Sequence, residues 1–269
     1  MERRSPDSGE TPDSGANRDS GASRNRDAGR DRDAGRSLKV SPSWRREILI
    51  FGIIALASTA VFWLTDLDIR FSALFHDALD PDGPWPQAGA PLWMALYAFD
   101  TYLTIALAVI AGALLITGSL SGGNRRRIVY GLFIILSVIL GAGIIVNSTL
   151  KEHWGHPRPA EIVEFGGRGL YAPPWAKRPS GEGESFPSGH AAIAFSYIVF
   201  YFILRIPRPK LARACFWGVV LMGSLMGLGR IIQGRHFLSD VLWAAYIPYL
   251  ACMLFYYGVL KIPGRQSGD

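Results

Sequence analysis

From residue 48 onward the chain alternates long apolar runs with short polar connections. Ile48–Leu64, Ile128–Leu150, Gly189–Leu204 and Val241–Leu260 hold no charged residue, Leu92–Thr117 holds only Asp100, and Ala214–Ile232 holds only Arg230. About 20 apolar residues, at roughly 1.5 Å each, carry a helix across a hydrocarbon layer of about 30 Å. Each run is near that length, the shorter ones with help from flanking residues. Helices buried in a large soluble core keep a polar face, which these runs lack. The pattern therefore predicts an all-α bundle of six transmembrane helices within residues 44–265.

The first 43 residues follow another rule. Up to residue 36 the chain repeats loosely with a period of six, as DSGETP, DSGANR, DSGASR, NRDAGR and DRDAGR, almost without aliphatic or aromatic side chains. These 43 positions carry 17 charges, against 33 in the 226 that follow. A segment of this kind cannot bury enough surface to offset its chain entropy, so residues 1–43 are expected to be a disordered tail. They do not read as a signal peptide, because the first apolar run begins only at Ile48.

Loop charge gives an orientation. Arg36, Lys39, Arg45 and Arg46 precede the first run, and Arg125, Arg126 and Arg127 separate the second and third. Arg205, Arg208, Lys210 and Arg213 separate the fourth and fifth, and Lys261 and Arg265 follow the sixth. Lys and Arg concentrate on the cytoplasmic side of membrane proteins, so these regions and both termini are expected in the cytoplasm. The loop 66–91, with Arg70 against five aspartates, then lies outside. The connection 151–187 breaks the rule: it is expected outside, yet holds Lys151, Arg158, Arg168, Lys177 and Arg178. Those cations call for a different explanation.

Composition narrows the classes further. A mean hydropathy of +0.18 over 269 residues is high for a chain with so polar an end. Cys215 and Cys252, the two cysteines, both lie in apolar runs, which excludes a secreted disulfide scaffold. A net charge of +6 set beside apolar spans gives no sign of a nucleic-acid partner.

Three segments carry the chemistry, and all fall on the expected outer face. Lys151-Glu-His-Trp-Gly-His-Pro-Arg158-Pro159 follows the third run, Phe186-Pro187-Ser188-Gly189-His190 opens the fourth, and Gly229-Arg230 through Arg235-His236-Phe237-Leu238-Ser239-Asp240 joins the fifth to the sixth. Guanidinium forks match phosphate oxygens, and Ser-Gly at a helix N-terminus aims backbone N–H groups and the helix dipole at an anion. The ligand this implies is a phosphate group at a membrane surface. His190 and His236 supply one nucleophile and one proton donor, and the four-residue step from His236 to Asp240 puts a carboxylate one helical turn away, able to orient the imidazole. Arginines neutralise the equatorial oxygens of the transition state without a metal.

Taken in order, the three segments resemble the type 2 phosphatidic acid phosphatase superfamily, whose signature is K-x6-R-P, P-S-G-H and S-R-x5-H-x3-D. Lys151 and Arg158-Pro159 match the first motif, Pro187-Ser188-Gly189-His190 the second, and Arg230, His236 and Asp240 the third. The resemblance implies that His236 attacks phosphorus and forms a phosphohistidine, that Asp240 holds its tautomer, and that His190 protonates the leaving oxygen and then helps activate water. It implies that Lys151, Arg158, Ser188, Gly189 and Arg230 bind the phosphate, with no metal and no cofactor. Gly229 departs from the pattern, which usually has Ser there, and restoring Ser is expected to be tolerated.

A substrate at such a site is an amphiphile whose phosphate emerges from the bilayer. The nine residues from Lys151, Phe165-Gly-Gly, and Gln-Gly-Arg-His-Phe-Leu-Ser-Asp resemble the lipid A phosphatase-like branch of bacterial members, which implies the inner membrane as location. Undecaprenyl diphosphate and phospholipid phosphates fit the motifs too. A phosphotransferase using the same nucleophile has the same sequence signature, and a non-catalytic lipid-binding or transport relative would be marked by loss of His190, His236 or Asp240, all present here. Glu152, His153 and His156 compose a metal site with His190 and His236 only against the repulsion of the surrounding cations. Arg168, Lys177, Arg178 and Arg235 read either as contacts to a second phosphate or as solvated charges. Asp100 reads as a partner for a neighbouring helix or an intramembrane acid.

Overall fold

The computed structural model describes residues 44–81, 83–178 and 183–263. The tail expected at 1–43 and the last two residues of the expected 44–265 domain lie outside them. The described chain is helical and has no named strand, with two isolated bridges, His156 to Glu184 and Ile162 to Gly169.

Among the described residues five helices are long and apolar enough to cross a bilayer: α1 (Trp44–Leu64), α3 (Pro91–Leu120), α4 (Arg125–Lys151), α7 (Pro209–Ile232) and α8 (Leu238–Val259). A short α2 (Leu67–Ala73) follows α1. The expected fourth span is different. It is two pieces, α5 (Gly189–Ser196) and α6 (Val199–Leu204), with a break at Tyr197–Ile198. Six uninterrupted crossings are thus not what forms. Ala191, Ala192, Ala194, Val199 and Phe202 are completely buried, so this segment runs through the middle of the bundle.

Local rules account for the ends of the long helices. Pro91 occupies the first turn of α3, where a missing N–H has no cost, and Gly122 and Gly123 take the left-handed conformation that stops it. Asn124 then caps α4 by accepting from the Arg127 N–H at 3.2 Å. The α3–α4 hairpin closes because Gly131 has no side chain: a Cβ there would stand 2.9 Å from the Ala111 carbonyl oxygen. Some hydroxyls inside the apolar helices bond their own helix, as where Thr59 donates to the Ala55 carbonyl at 2.7 Å.

At one end of the bundle α1 is tied to the rest by charge. Arg205, just after α6, makes a two-pronged bond to Glu47 of α1 at 3.0 and 2.9 Å, and the same carboxylate accepts from Tyr249 and Tyr257 of α8 at 2.6 Å each. The guanidinium lies within 6 Å of the rings of Tyr201, Phe202, Tyr256 and Tyr257. Removing one member of a largely buried pair strands the other charge, which costs about 3–5 kcal/mol. Glu47→Ala is therefore expected to lower the melting temperature of the detergent-extracted protein clearly, and Glu47→Leu with Arg205→Leu to lower it less. A Glu47→Ala protein as stable as its parent would contradict this pairing.

Candidate active site

At one end of the bundle the three motif segments converge. Lys151 ends α4, Arg158 opens a single turn at Pro159–Glu161, and His190 is the second residue of α5. Arg230 is in the last turn of α7, and Asp240 is the third residue of α8. A cavity of about 470 Å³ opens between them, lined by Ala88, Met94, Tyr97, Lys151, Arg158, His190, Arg230, Gln233 and Arg235. Among the described residues its wall has four cationic side chains and no carboxylate. Arg235, ambiguous in the sequence, thus belongs to the wall, while Lys177 lies 5.9 Å over the Trp154 ring and Arg178 donates to the Tyr171 carbonyl at 2.6 Å.

Each cation is held differently. Arg230 donates to Gln233 at 2.6 Å and sits 5.0 Å over the Tyr97 ring, with its Nε buried and without a hydrogen-bond partner. Tyr97 in turn packs 4.7 Å from the His190 ring, so one aromatic from α3 packs against both groups. Arg158 reaches Glu184 at 3.3 Å and Glu161 at 3.6 Å, two carboxylates that partly neutralise it within the loop. Asp100, one turn beyond Tyr97, acts electrostatically on Arg230 of α7, which favours the neighbouring-helix reading of that acid.

Four expected site residues stand behind this wall rather than in it. Ser188, Gly189, His236 and Asp240 are buried, His236 keeping 3% exposure. Ser188 Oγ has no hydrogen-bond partner, leaving a donor for an incoming oxygen, and its backbone N–H is occupied by the Asp240 carbonyl at 3.3 Å. His236 stays within electrostatic reach of His190 and Arg230. Its Nδ1 lies 2.7 Å from the Ser185 carbonyl oxygen and 3.6 Å from Asp240 Oδ2. A carbonyl can only accept, so Nδ1 carries the proton and Nε2 the lone pair. The backbone of Ser185 thus makes the hydrogen bond to Nδ1, and Asp240 stands beside it at an ion-pair separation. Burial holds the His236 imidazole below its ordinary range, so it stays neutral and keeps that lone pair into acid.

Asp240 is fixed by its own surroundings. Its Oδ2 accepts from the Phe237 N–H at 2.7 Å and from Ser185 Oγ at 2.5 Å. One residue earlier in α8, the Ser239 N–H donates to Asp68 of α2 at 2.9 Å and its hydroxyl to the same carboxyl at 2.5 Å, with Tyr171 adding a bond at 2.9 Å. Two buried carboxyls at one helix N-terminus repel each other. Burial first, and then the charge of Asp240, push Asp68 up to about 7.

Sequence patterning passed over Ser185, Tyr97, Asp68 and Gln233. Ser185 and Gln233 lie beside motif residues, which was the available signal. Tyr97 and Asp68 reach the site only through packing. The imagined histidine-rich metal cluster does not assemble: His153 bonds the Thr149 carbonyl on an exposed turn, and among the described residues no three of His, Cys, Asp and Glu gather to hold an ion. Gly229 has a steric reason, since a Cβ there would stand 3.0 Å from Trp93 Cε3.

The sequence pattern of the PAP2 superfamily matches residues 131–263. A lipid A 4'-phosphatase from Francisella tularensis subsp. novicida is 28% identical over 217 residues, covering 77% of this chain and 94% of that protein. A lipid A 4'-phosphatase from Rhizobium etli is 29% identical over 210 residues, covering 70% and 78%. Among solved structures, a transmembrane PAP2 type phosphatidylglycerolphosphate phosphatase from Bacillus subtilis aligns over 81% of this chain and 94% of that one, with 20% identity and a TM-score of 0.41.

Two predictions follow from this packing. A Ser side chain at 229 requires the Trp93 indole to give by a few tenths of an ångström, so the melting shift of Gly229→Ser is expected to be non-additive with that of Trp93→Leu. Additive melting shifts would remove the steric account. For Asp68, the unfolded carboxyl ionises near 3.8 and the folded one near 7. Between those values the unfolded chain releases a proton that the folded protein keeps, so stability falls as pH rises through the window and levels off above it. The melting temperature of Asp68→Asn should drop less from pH 4 to 7 than that of the parent; equal slopes would mean that Asp68 is ionised in the fold.

Proposed function

The chain belongs to the PAP2 superfamily through residues 131–263, and on that premise we propose that it is a metal-independent, multi-pass membrane phosphatase that hydrolyses a phosphate monoester or diphosphate of a lipid. The observation that carries this reading is the cavity wall of Lys151, Arg158, Arg230 and Arg235, with no carboxylate among the described lining residues, backed by a neutral, buried His236. Such a site attracts a dianionic headgroup and repels a divalent cation.

The reaction divides into two displacements. His236 Nε2 attacks phosphorus and the bond to the leaving oxygen breaks, while His190 gives that oxygen a proton and the cations bind the equatorial oxygens. The ring of His236 becomes cationic on phosphorylation, and the Asp240 carboxylate 3.6 Å from Nδ1 stabilises that charge. Water, deprotonated by His190, then displaces the imidazole and releases inorganic phosphate. Ser188 and the backbone of Gly189 contribute hydrogen bonds to the phosphate from the start of α5.

The lipid A 4'-phosphatases of Francisella and Rhizobium, similar along most of their length, favour lipid A as the substrate, with undecaprenyl diphosphate and phospholipid phosphates as the next choices. The same reading takes the segment Gly189–Leu204 as a sixth crossing, broken but apolar. It sets the protein in a bacterial inner membrane with the cavity facing the periplasm and residues 1–43 as a cytoplasmic tail.

Phosphate release from lipid A, undecaprenyl diphosphate and phosphatidic acid in mixed micelles tests the assignment. Activity is expected on lipid A foremost, to survive EDTA and to be blocked by vanadate; release from none of the three, or loss on chelation with rescue by Zn²⁺ or Mg²⁺, would contradict it. His236→Ala should lower kcat by about 10⁴–10⁶-fold, equivalent to roughly 5–8 kcal/mol of barrier, because the covalent route is removed. A loss of only about tenfold would reduce His236 to a phosphate contact.

A further inference from the structure

The second oxygen of Asp240 is unaccounted for. Oδ2 has its partners, but Oδ1 is buried and accepts no hydrogen bond. The atom it faces is Nδ1 of His156, 3.9 Å away, which is likewise buried without a partner. His156 has no solvent exposure and is not a member of the cavity wall. At that distance the contact is an ion-pair separation, too long for a hydrogen bond.

The other face of the same ring decides its chemistry. Nε2 of His156 lies 3.3 Å from the Pro173 carbonyl oxygen. A carbonyl only accepts, so Nε2 carries a proton, while Nδ1 faces the carboxylate at an ion-pair separation, where a second proton on the ring would give Asp240 Oδ1 the counter-charge it lacks. The rings of Phe186 and Phe237, with centroids 5.6 and 6.2 Å away, pack against the imidazole and bring no charge, while Glu184 pairs with the backbone of His156 in an isolated bridge and turns its carboxylate to Arg158. The backbone of His156 is fixed as well, its carbonyl accepting the Ser185 N–H at 2.9 Å.

We propose that His156 is a positioning residue, a buried imidazolium that holds Asp240 Oδ1 and thereby keeps the carboxylate ionised and aimed at His236. The proposal rests on the phosphohistidine reading above for its effect on rate, and on geometry alone for the pair itself. A carboxylate buried with no cation beside it takes up a proton and loses its orienting charge. With His156 as that cation, Asp240 stays charged without taking a proton onto His236, whose lone pair remains free for attack. Desolvating such a pair is expensive, so its return is orientation rather than stability.

The test has two arms on the full chain. In lipid bilayers, ¹³C,¹⁵N-labelled histidine combined with ¹⁵N-labelled proline identifies His156 without any substitution, because His156–Pro157 is the one His-Pro step in the sequence. Solid-state NMR at pH 7 is expected to find both of its ring nitrogens protonated; a neutral ring with a bare Nδ1 would overturn the proposal, whatever the substrate proves to be. In the second arm, lipid phosphate hydrolysis is measured per folded protein. His156→Leu should lower kcat by about 10–100-fold, the usual effect of losing a group that orients an orienting group, with KM unchanged because the ring does not reach the cavity. His156→Asn, whose amide nitrogen stands near the position of Nδ1, should restore at least a third of that loss on a logarithmic scale. A purely structural role would lower the melting temperature in both variants and leave kcat at the parent value, which would also overturn the proposal. A parent protein that releases no phosphate from any lipid would sink the phosphatase reading and leave the NMR arm to decide on the pair.

Discussion

The carboxylate of Asp240 is fully buried, and much of this end of the molecule is arranged to make that tolerable. A charge taken out of water has to be met by hydrogen bonds and counter-charge. Here the Phe237 N–H at the start of α8 and the hydroxyl of Ser185 meet one oxygen, with His236 beside them. Because Ser185 also bonds the carbonyl of His156 and accepts from His236, a single serine joins three stretches of chain: 151–158, 183–190 and 236–240. The motif segments are far apart in sequence, and the buried carboxylate is the reason they cannot drift apart in space. Asp68 extends the same clamp to α2, linking the connection after α1 to the N-terminus of α8 through Ser239.

This constraint separates the two tasks of the site. The groups that meet solvent are cations suited to bind an anion, and the group read as the nucleophile sits behind them, neutral and aligned by acceptors. Burial lowers the affinity of His236 for protons, while the Asp240 carboxylate close by works in the opposite direction and would stabilise a positive charge on the ring. Tyr97 of α3 packs against both Arg230 and His190, its ring 5.0 Å from the guanidinium and 4.7 Å from the imidazole, and so ties α3 to the cavity wall. The exposed apolar surfaces of α1 and α3 continue up to this end, which suits a substrate whose phosphate is anchored by acyl or prenyl chains.

The long helices were legible in the sequence because a bilayer imposes a length and a polarity that no other context shares: α1, α3, α4, α7 and α8 fall on the apolar runs to within a few residues. The fourth run was legible as an apolar segment but not as two helices, because the break at Tyr197–Ile198 carries neither Pro nor Gly. The motif residues were legible as types at fixed spacing, and Lys151, Arg158, His190 and Arg230 do line one cavity. What the pattern could not contain is the layer behind them. Ser185 acts through a backbone carbonyl, which has no sequence signature. Asp68 looked like one of five loop aspartates. Gly229 read as a missing hydroxyl and is instead room for Trp93, a residue 136 positions earlier.

The central claim is that a lone pair on His236, oriented by Ser185 and Asp240, forms a covalent bond to phosphorus. It is tested most directly by rapid quenching of steady-state turnover with a ³²P-labelled lipid phosphate, at alkaline pH where a phosphoramidate persists, followed by mapping of the label. The account predicts label on the peptide that contains His236, together with retention of configuration at phosphorus for a chiral substrate, as two in-line displacements require. No label on His236 during turnover, with inversion at phosphorus, would mean that water attacks directly and would contradict it.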